Sequence, residues 1–145
     1  MAIRFFHIDT SFKLTSRRLL KEFIHDIFIS NRVILKSLNI IFCTDSYLLE
    51  INRKFLQHDN YTDIITFNLA EPRKPVEGEI FISYDRVVEN AQMFTTPLDQ
   101  ELHRIIFHGC LHLCGFKDKK AGEKAEMRRK EDDCLLKYFS KVSST

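Results

Sequence analysis

The chain has 145 residues and 44% apolar content, which is enough for one compact domain with its own core. With 22 basic and 20 acidic residues the net charge is +2, so the total charge neither requires nor excludes a polyanionic partner. The 4 glycines, 3 prolines and 4 cysteines argue against a disordered, loop-rich or disulfide-scaffold protein, and we expect residues 1–145 to form a single domain.

The N-terminal segment lacks the apolar stretch of a secretory signal, because charged residues interrupt every apolar run. No apolar run in the chain approaches the length that spans a membrane. The cysteines lie in apolar surroundings that are typical of reduced thiols: Cys43, Cys110, Cys114 and Cys134. These features predict a cytoplasmic protein without a membrane partner.

The first half of the chain alternates strands and helices. Residues 2–9 are apolar and roughly alternating, which predicts a strand. Thr15 or Ser16 is a plausible N-cap for an amphipathic helix over 17–31. The apolar run at 38–44 then predicts a second strand.

A second helix is expected from Asp45, a candidate N-cap, to about Gln57. Four large side chains lie on one side of it: Tyr47, Leu48, Ile51 and Phe55. The β-branched and aromatic runs at 63–69 and 78–83 predict two further strands. We expect these two strands to pair, joined by an irregular connection.

Three helices are predicted in the last part of the chain, at about 85–94, 97–114 and 122–139, with Pro97 in the first turn of the middle one. The element order is β-α-β-α-β-β-α-α-α. We expect an α/β fold with α+β character, in which a sheet of about four strands packs with about five helices in a single small domain. The pattern does not determine the strand order.

The helix at 97–114 carries two histidines one turn apart, His108 and His112, on a helix that is apolar nearly all round. Residues at i and i+4 share one face, so both imidazoles can bind one metal ion. Gly115 can end the helix in a left-handed conformation and turn Asp118 back toward the histidines. Two imidazoles and one carboxylate leave a position for water, which is typical of a catalytic zinc site at the end of a buried helix.

The residues of this helix allow other interpretations. Two histidines at this spacing can simply hydrogen-bond to backbone, but the glycine and the acid that follow favour a metal site. Gly109 stands where zinc peptidases of the HExxH type carry their general base, which disfavours a peptidase mechanism. Cys110 and Cys114 point away from the histidines and are interpreted as core thiols. We assign no function to the remaining isolated histidines: His7, His25 and His103.

The segment HGCLHLCGFKD at 108–118 closely resembles the signature of the YbeY family of ribosomal RNA maturation factors, which are metal-binding single-strand endoribonucleases. Residues 51–68 are similar to a family segment that ends in a Thr-Asp-Val-Leu-Ser-Phe pattern. GEIFIS at 78–83 and the spacing from Met127 to Glu131 also match. The resemblance therefore extends over most of the chain.

The resemblance places His108 and His112 at the positions of the family's first two zinc ligands, and Asp118 where a third histidine is usual. A carboxylate can also bind zinc, with an altered metal preference and water acidity. Leu56 stands where the family typically has an arginine. If that arginine steers phosphate, another residue must do so here, and the nearest candidates are Arg53, Lys54 and His58.

The resemblance implies a zinc-dependent endoribonuclease with one Zn²⁺ per chain. It would act on single-stranded RNA in ribosome biogenesis, in the maturation of the 3′ end of the small-subunit ribosomal RNA, with ribosomal RNA and the small ribosomal subunit as partners. His58 is the candidate catalytic group that stabilises charge on the phosphate, and Arg53 and Lys54 are candidates for RNA binding. Glu131 is expected to orient a metal ligand, with an ion pair to a nearby Lys or Arg as the alternative.

RNA needs a basic approach surface, and basic residues are frequent close to the proposed metal site. They alternate with acidic residues, so this segment could equally be a solvated helix face: Lys117, Lys119, Lys120, Lys124, Arg128, Arg129 and Lys130. Two other functions stay open. The chain could be a metal-dependent hydrolase of a small molecule or peptide, or a ribosome-assembly factor without turnover, whose zinc is structural and has four protein ligands.

Overall fold

The computed structural model describes residues 2–144, which form one four-stranded sheet and five helices. The strands are β1 (Ala2–His7), β2 (Leu35–Cys43), β3 (Ile64–Asn68) and β4 (Val76–Ser83). The helices are α1 (Arg17–Ser30), α2 (Asp45–Leu56), α3 (Tyr84–Phe94), α4 (Leu98–Leu113) and α5 (Ala121–Ser143). The predicted α/β class and element order are confirmed. None of these five helices combines the length and apolarity that crossing a membrane requires.

The strand order across the sheet is β1-β2-β4-β3. β1 pairs with β2 and β2 with β4 in parallel, because helical connections return the chain to the same end of the sheet. β3 pairs antiparallel with β4, which confirms the predicted strand pair. The pairing of Ile64 with Ile82 places Asp63, the residue before β3, at the carboxyl end of β4. That end of the sheet contributes to the site described below.

One face of the sheet carries the main core. Alternate residues of β2 and β4, such as Ile40 and Ile80, are fully buried against α1, α4 and α5. Helix α4 lies at the centre of this layer, and Ile106 and Phe107 have no exposed surface. Full burial of each such side chain stabilises the fold by about 1.5–3 kcal/mol. The prediction that α4 is a central buried helix is confirmed.

The opposite face of the sheet is covered only in part, by α2. A second cluster forms there from Cys43, Leu48 and Ile65. Phe55, which shares the predicted apolar side of α2, leaves 58% of its surface exposed. Helix α2 therefore covers less of the sheet than its sequence pattern suggests.

The helix caps differ from the prediction. Thr44, and not Asp45, is the N-cap of α2, and its hydroxyl accepts a hydrogen bond from the Tyr47 N–H at 3.2 Å. The Asp45 carboxylate instead accepts a hydrogen bond from Arg86 Nε at 3.0 Å, which ties α2 to α3. Ser16 takes the N-cap position of α1, but its side chain makes no capping bond because its backbone is left-handed, with φ 54°.

Several strand and helix boundaries also differ from the predicted ones. β2 begins at Leu35 and β4 at Val76, earlier than predicted, because these two residues pair with each other and extend the parallel ladder. α4 begins at Leu98 with Pro97 as its N-cap, and α5 continues to Ser143. Ladder pairing and packing against the core, which are not local in sequence, decide these ends.

The four cysteines are free thiols, and the prediction that Cys110 and Cys114 belong to the core is confirmed. Burial raises the pKa of Cys43 and of Cys114 to about 12 and that of Cys134 to about 11. Burial also holds the pKa of Cys110 well above its ordinary value. All four thiols therefore stay protonated near neutral pH and act as apolar packing groups.

Gly109 allows α4 to approach the sheet closely. A Cβ at this position would lie 2.9 Å from Cδ1 of both Ile64 and Ile80. Such overlap in a packed core costs roughly 1–3 kcal/mol, while alanine gains about 1 kcal/mol of helix propensity over glycine. A glutamate here would collide with the sheet, which explains physically why the general base of an HExxH peptidase has no place in α4.

We predict that Gly109→Ala lowers the free energy of unfolding by about 1 kcal/mol, measured by urea denaturation. Gly122→Ala is the matched control, because a Cβ on that helical glycine meets nothing within 4 Å. It should leave stability unchanged or raise it by up to about 1 kcal/mol. Equal effects of the two substitutions would show that the approach of α4 to the sheet is not the limiting contact.

Candidate metal centre

The end of α4 turns the chain sharply at Gly115. This residue has φ 103°, a left-handed conformation that favours glycine. Its N–H donates to the His112 carbonyl at 2.9 Å, and the Phe116 N–H donates to the Leu111 carbonyl at 3.1 Å. These two bonds form a Schellman motif, which ends the helix and reverses the chain. The turn brings Asp118 back beside α4, as the sequence predicts.

The three predicted ligands lie together. Nε2 of His108 and Nε2 of His112 each lie 3.3 Å from Oδ2 of Asp118. One ligand atom from each residue lies within 4.8 Å of the other two, a separation at which a single ion can contact all three. The side chains are partly buried, with 20%, 26% and 39% of their surfaces exposed. One face of the cluster therefore stays open to a substrate.

The hydrogen bonds of the two rings fit a metal on their Nε2 atoms. His108 Nδ1 lies 2.6 Å from Oε2 of Glu131, and His112 Nδ1 lies 2.9 Å from the Phe116 carbonyl oxygen. A carboxylate and a carbonyl can only accept hydrogen bonds, so each Nδ1 carries a proton, and Nε2 is the atom of each ring that is left to bind a metal. The backbone contact of His112 thus orients the ring without occupying its ligand atom.

Glu131 makes both of the contacts that its sequence position suggested. Besides His108, the buried carboxylate contacts Nη1 of Arg104 through Oε1 at 2.9 Å. Arg104 is itself 8% exposed and donates from Nη2 to Asp132 at 2.7 Å. Sequence reasoning missed Arg104, although it lies four residues before His108 on the same helical stripe. A charge on that buried stripe must be paired, and this need was the available signal.

The carboxylates around the histidines favour positive charge. Burial by itself lowers the pKa of His108, but the hydrogen bond and charge of Glu131, with the charges of Asp118 and Asp63, outweigh burial and raise that pKa. Burial raises the pKa of Asp63, and the His108 charge offsets part of this rise. Asp63, which the sequence pattern assigned to a strand, is therefore an unpredicted member of the site. A bound cation would satisfy this acidic surrounding.

A cleft of about 380 Å³ opens beside the cluster, between β3, α3, α4 and α5. His108 and Asp118 line it on one side. Asn90 and Phe94 contribute from α3, and Arg128 contributes from α5. The cluster is thus reached from a concave surface that carries aromatic, amide and cationic groups beside the carboxylates of Asp63, Glu101 and Glu131.

The other predicted site residues lie near the C-terminal end of α2. Arg53 pairs with Asp59, and the Lys54 ammonium lies 5.5 Å from the centre of the Phe55 ring. His58 is exposed, and its backbone N–H donates to the Asn52 carbonyl at 3.1 Å. Within residues 2–144, the side chains of Arg53, Lys54 and His58 do not line the 380 Å³ cleft. Their roles stay predictions.

Comparison with known proteins gives one consistent family. A family model described as Endoribonuclease YbeY matches residues 4–139. Endoribonuclease YbeY of Cytophaga hutchinsonii is 48% identical over 133 residues, covering 92% of this chain and 93% of the relative. The protein of the same name from Amoebophilus asiaticus is 42% identical over 134 residues, covering 92% and 91%. A solution structure from Thermotoga maritima superposes with a TM-score of 0.63 at 25% identity, covering 98% of this chain and 92% of that one.

The Glu131 contact predicts an effect on metal affinity. Glu131→Gln should weaken Zn²⁺ binding about tenfold or more, because an amide holds the Nδ1 proton of His108 less strongly than a carboxylate does. Competition with a chromophoric chelator measures this affinity. Asp133→Asn is the matched control, since that exposed carboxylate on the same helix pairs with Lys137 at 3.0 Å. Unchanged affinity in Glu131→Gln would remove Glu131 from the metal centre.

Proposed function

This chain belongs to the YbeY endoribonuclease family, and we propose that it hydrolyses phosphodiester bonds of single-stranded RNA in the cleft beside α4. The observation that carries the proposal is the cluster of His108, His112 and Asp118, in which two Nε2 atoms converge on one carboxylate oxygen. Two members of this cluster, His108 and Asp118, line the cleft of about 380 Å³.

We propose one Zn²⁺ per chain, held by His108, His112 and Asp118. When bound, such an ion supplies Lewis-acid polarisation of a phosphoryl oxygen. The nitrogen and oxygen donors suit zinc, and the partly buried position restricts competing water. Glu131 and the Phe116 carbonyl keep the two rings in the tautomer that presents Nε2.

Arg104 in turn holds Glu131, the residue that orients the His108 ring. Its guanidinium contacts Glu131 and Asp132 together, so the carboxylate that orients His108 is held from its other oxygen. Removing Arg104 would leave one oxygen of the buried Glu131 carboxylate without its cationic partner. Arg104 therefore acts as a positioning residue that reaches the proposed metal ligand His108 through Glu131.

The catalytic group that we propose for charge stabilisation on the phosphate is His58, with Arg53 and Lys54 as RNA contacts. Their exposure leaves them accessible, and Asp63, five residues after His58, lines the cleft. RNA would thus extend from the cleft toward the end of α2.

His58→Ala should lower kcat about 100-fold on single-stranded RNA. His25→Ala on α1 is the control, and equal rates in the two variants would exclude His58 from catalysis.

We propose ribosomal RNA as the substrate, with maturation of the 3′ end of the small-subunit RNA as the reaction, the small ribosomal subunit as the partner and the cytoplasm as the compartment. Family membership supports this assignment. We further propose that residues 1–145 act as one catalytic domain, because a single hydrophobic cluster includes residues from β1 through α5. Cleavage of a small-subunit precursor RNA near its 3′ end, compared with an unrelated RNA, tests the substrate.

The metal cluster argues against a structural zinc. A structural site has four protein ligands, and the cluster found among residues 2–144 has three. Hydrolysis of a small ester or peptide remains a separate outcome of the same assay, because zinc sites of this kind serve several reactions.

His108→Ala and His112→Ala should each lower the rate of RNA cleavage at least about 1000-fold, because each removes a metal ligand. The assay compares single-stranded RNA, duplex RNA, an ester and a peptide, with Zn²⁺ and after chelation. His25→Ala again serves as the control. Wild-type rates in both variants at saturating Zn²⁺ would overturn the metal assignment.

A further inference from the structure

Phe94, the last residue of α3, exposes 62% of its surface on the wall of the metal cleft. Its ring stacks on no other aromatic ring within residues 2–144, unlike Phe67 or Phe107, which have ring neighbours. An exposed aromatic side chain contributes little to stability, since its apolar surface stays in water. Placed beside the proposed metal ligands, it presents a flat apolar surface to whatever occupies the cleft.

Two polar side chains with unused hydrogen-bonding capacity share this cleft. Asn90 lies one helical turn before Phe94 on α3, and its amide makes no hydrogen bond within the described part of the chain. Arg128 of α5 is 65% exposed, and its one ion pair among residues 2–144, with Asp132, is long at 3.9 Å. Both side chains can therefore bind a ligand without breaking a short contact.

These three groups match two parts of a nucleotide, its base and its phosphate. An aromatic face stacks on a base, an amide donates to and accepts from a base edge, and a guanidinium binds phosphate. They stand next to His108 and Asp118, where the reacting phosphate would lie. We propose that Phe94, Asn90 and Arg128 form a nucleotide subsite, in which Phe94 stacks on an unpaired base adjacent to the phosphate that is cleaved.

This subsite would select single strands. In a duplex both faces of a base are stacked and its pairing edge is occupied, so neither Phe94 nor Asn90 could reach it. The inference rests on the proposed function for its substrate class. The subsite adds residues that distinguish an unpaired base from a paired one, which the proposed metal ligands by themselves cannot do.

Binding can be measured separately from cleavage. The chain contains no tryptophan, so Phe94→Trp introduces a single indole into the cleft. Titration with a single-stranded RNA oligonucleotide in the presence of chelator should quench its fluorescence, and a duplex of the same sequence should quench it less. Ile34→Trp is the control, because Ile34 is 74% exposed and directly precedes β2, at the end of the sheet opposite Asp63.

The kinetic test uses Phe94→Ala and Phe94→Tyr in the metal-loaded enzyme. Phe94→Ala should lower kcat/KM on single-stranded RNA about 5- to 150-fold, mainly through KM, and Phe94→Tyr should retain the wild-type value. An RNA with one abasic ribonucleotide, scanned along the strand, should show one position at which wild type and Phe94→Ala become equal. Thermal unfolding of Phe94→Ala should match wild type, which separates substrate binding from stability.

The outcomes distinguish the two proposals. Equal kcat/KM for wild type and Phe94→Ala, or equal quenching in Phe94→Trp and Ile34→Trp, would overturn the subsite while leaving RNA cleavage intact. Absence of RNA cleavage by the wild type with any divalent metal would overturn the proposed function. In that case, quenching confined to Phe94→Trp would still establish that the cleft binds single strands.

Discussion

The site depends on the contacts that the buried carboxylate of Glu131 makes. It bridges α5 to α4 by binding the Arg104 guanidinium with one oxygen and His108 Nδ1 with the other. An unpaired carboxylate at this depth would cost several kcal/mol, so the two helices are constrained to the one arrangement that satisfies it. The contact with Glu131 also keeps a proton on Nδ1 of His108. Burial by itself lowers the pKa of His108, but the hydrogen bond and charge of Glu131 contribute to a net rise. The contacts of Glu131 that fix how α5 packs on α4 therefore also fix the orientation of the His108 ring.

Close packing of α4 on the sheet fixes where α4, and α5 with it, lies relative to the strands. Gly109 faces Ile64 and Ile80 without a side chain, which brings the preceding helical position, His108, toward the carboxyl end of β4 and toward Asp63. Open α/β sheets commonly bind ligands at the carboxyl ends of their parallel strands. The cleft reaches that end of the sheet through Asp63 and Ile64, and α4 runs from there toward Gly78, near the start of β4.

Asp118 sets this chain apart from the three-histidine pattern that the family resemblance implies. A carboxylate brings a negative charge into the ligand set, which lowers the net charge of a bound divalent cation and favours harder metals than three imidazoles do. Asp63 and Glu131 add to this negative surrounding. Leu56, at the position of the family's usual arginine, is 40% exposed and removes a further positive charge. The phosphate contacts that we propose therefore use other cations, such as Arg128 at the cleft.

Local sequence was sufficient to predict the three side chains that cluster in the proposed metal site. The i, i+4 spacing of the histidines and the left-handed glycine that brings Asp118 back depend on one helix and its terminal turn, whose geometry is the same in any context. The element order followed from hydrophobic periodicity for a similar reason. Strand order, the ends of β2 and β4 and the cap at Thr44 required the tertiary structure, because long-range pairing decides them. Asp63 and Phe94 join the site from elements other than α4, and no periodicity within one segment records which elements will meet.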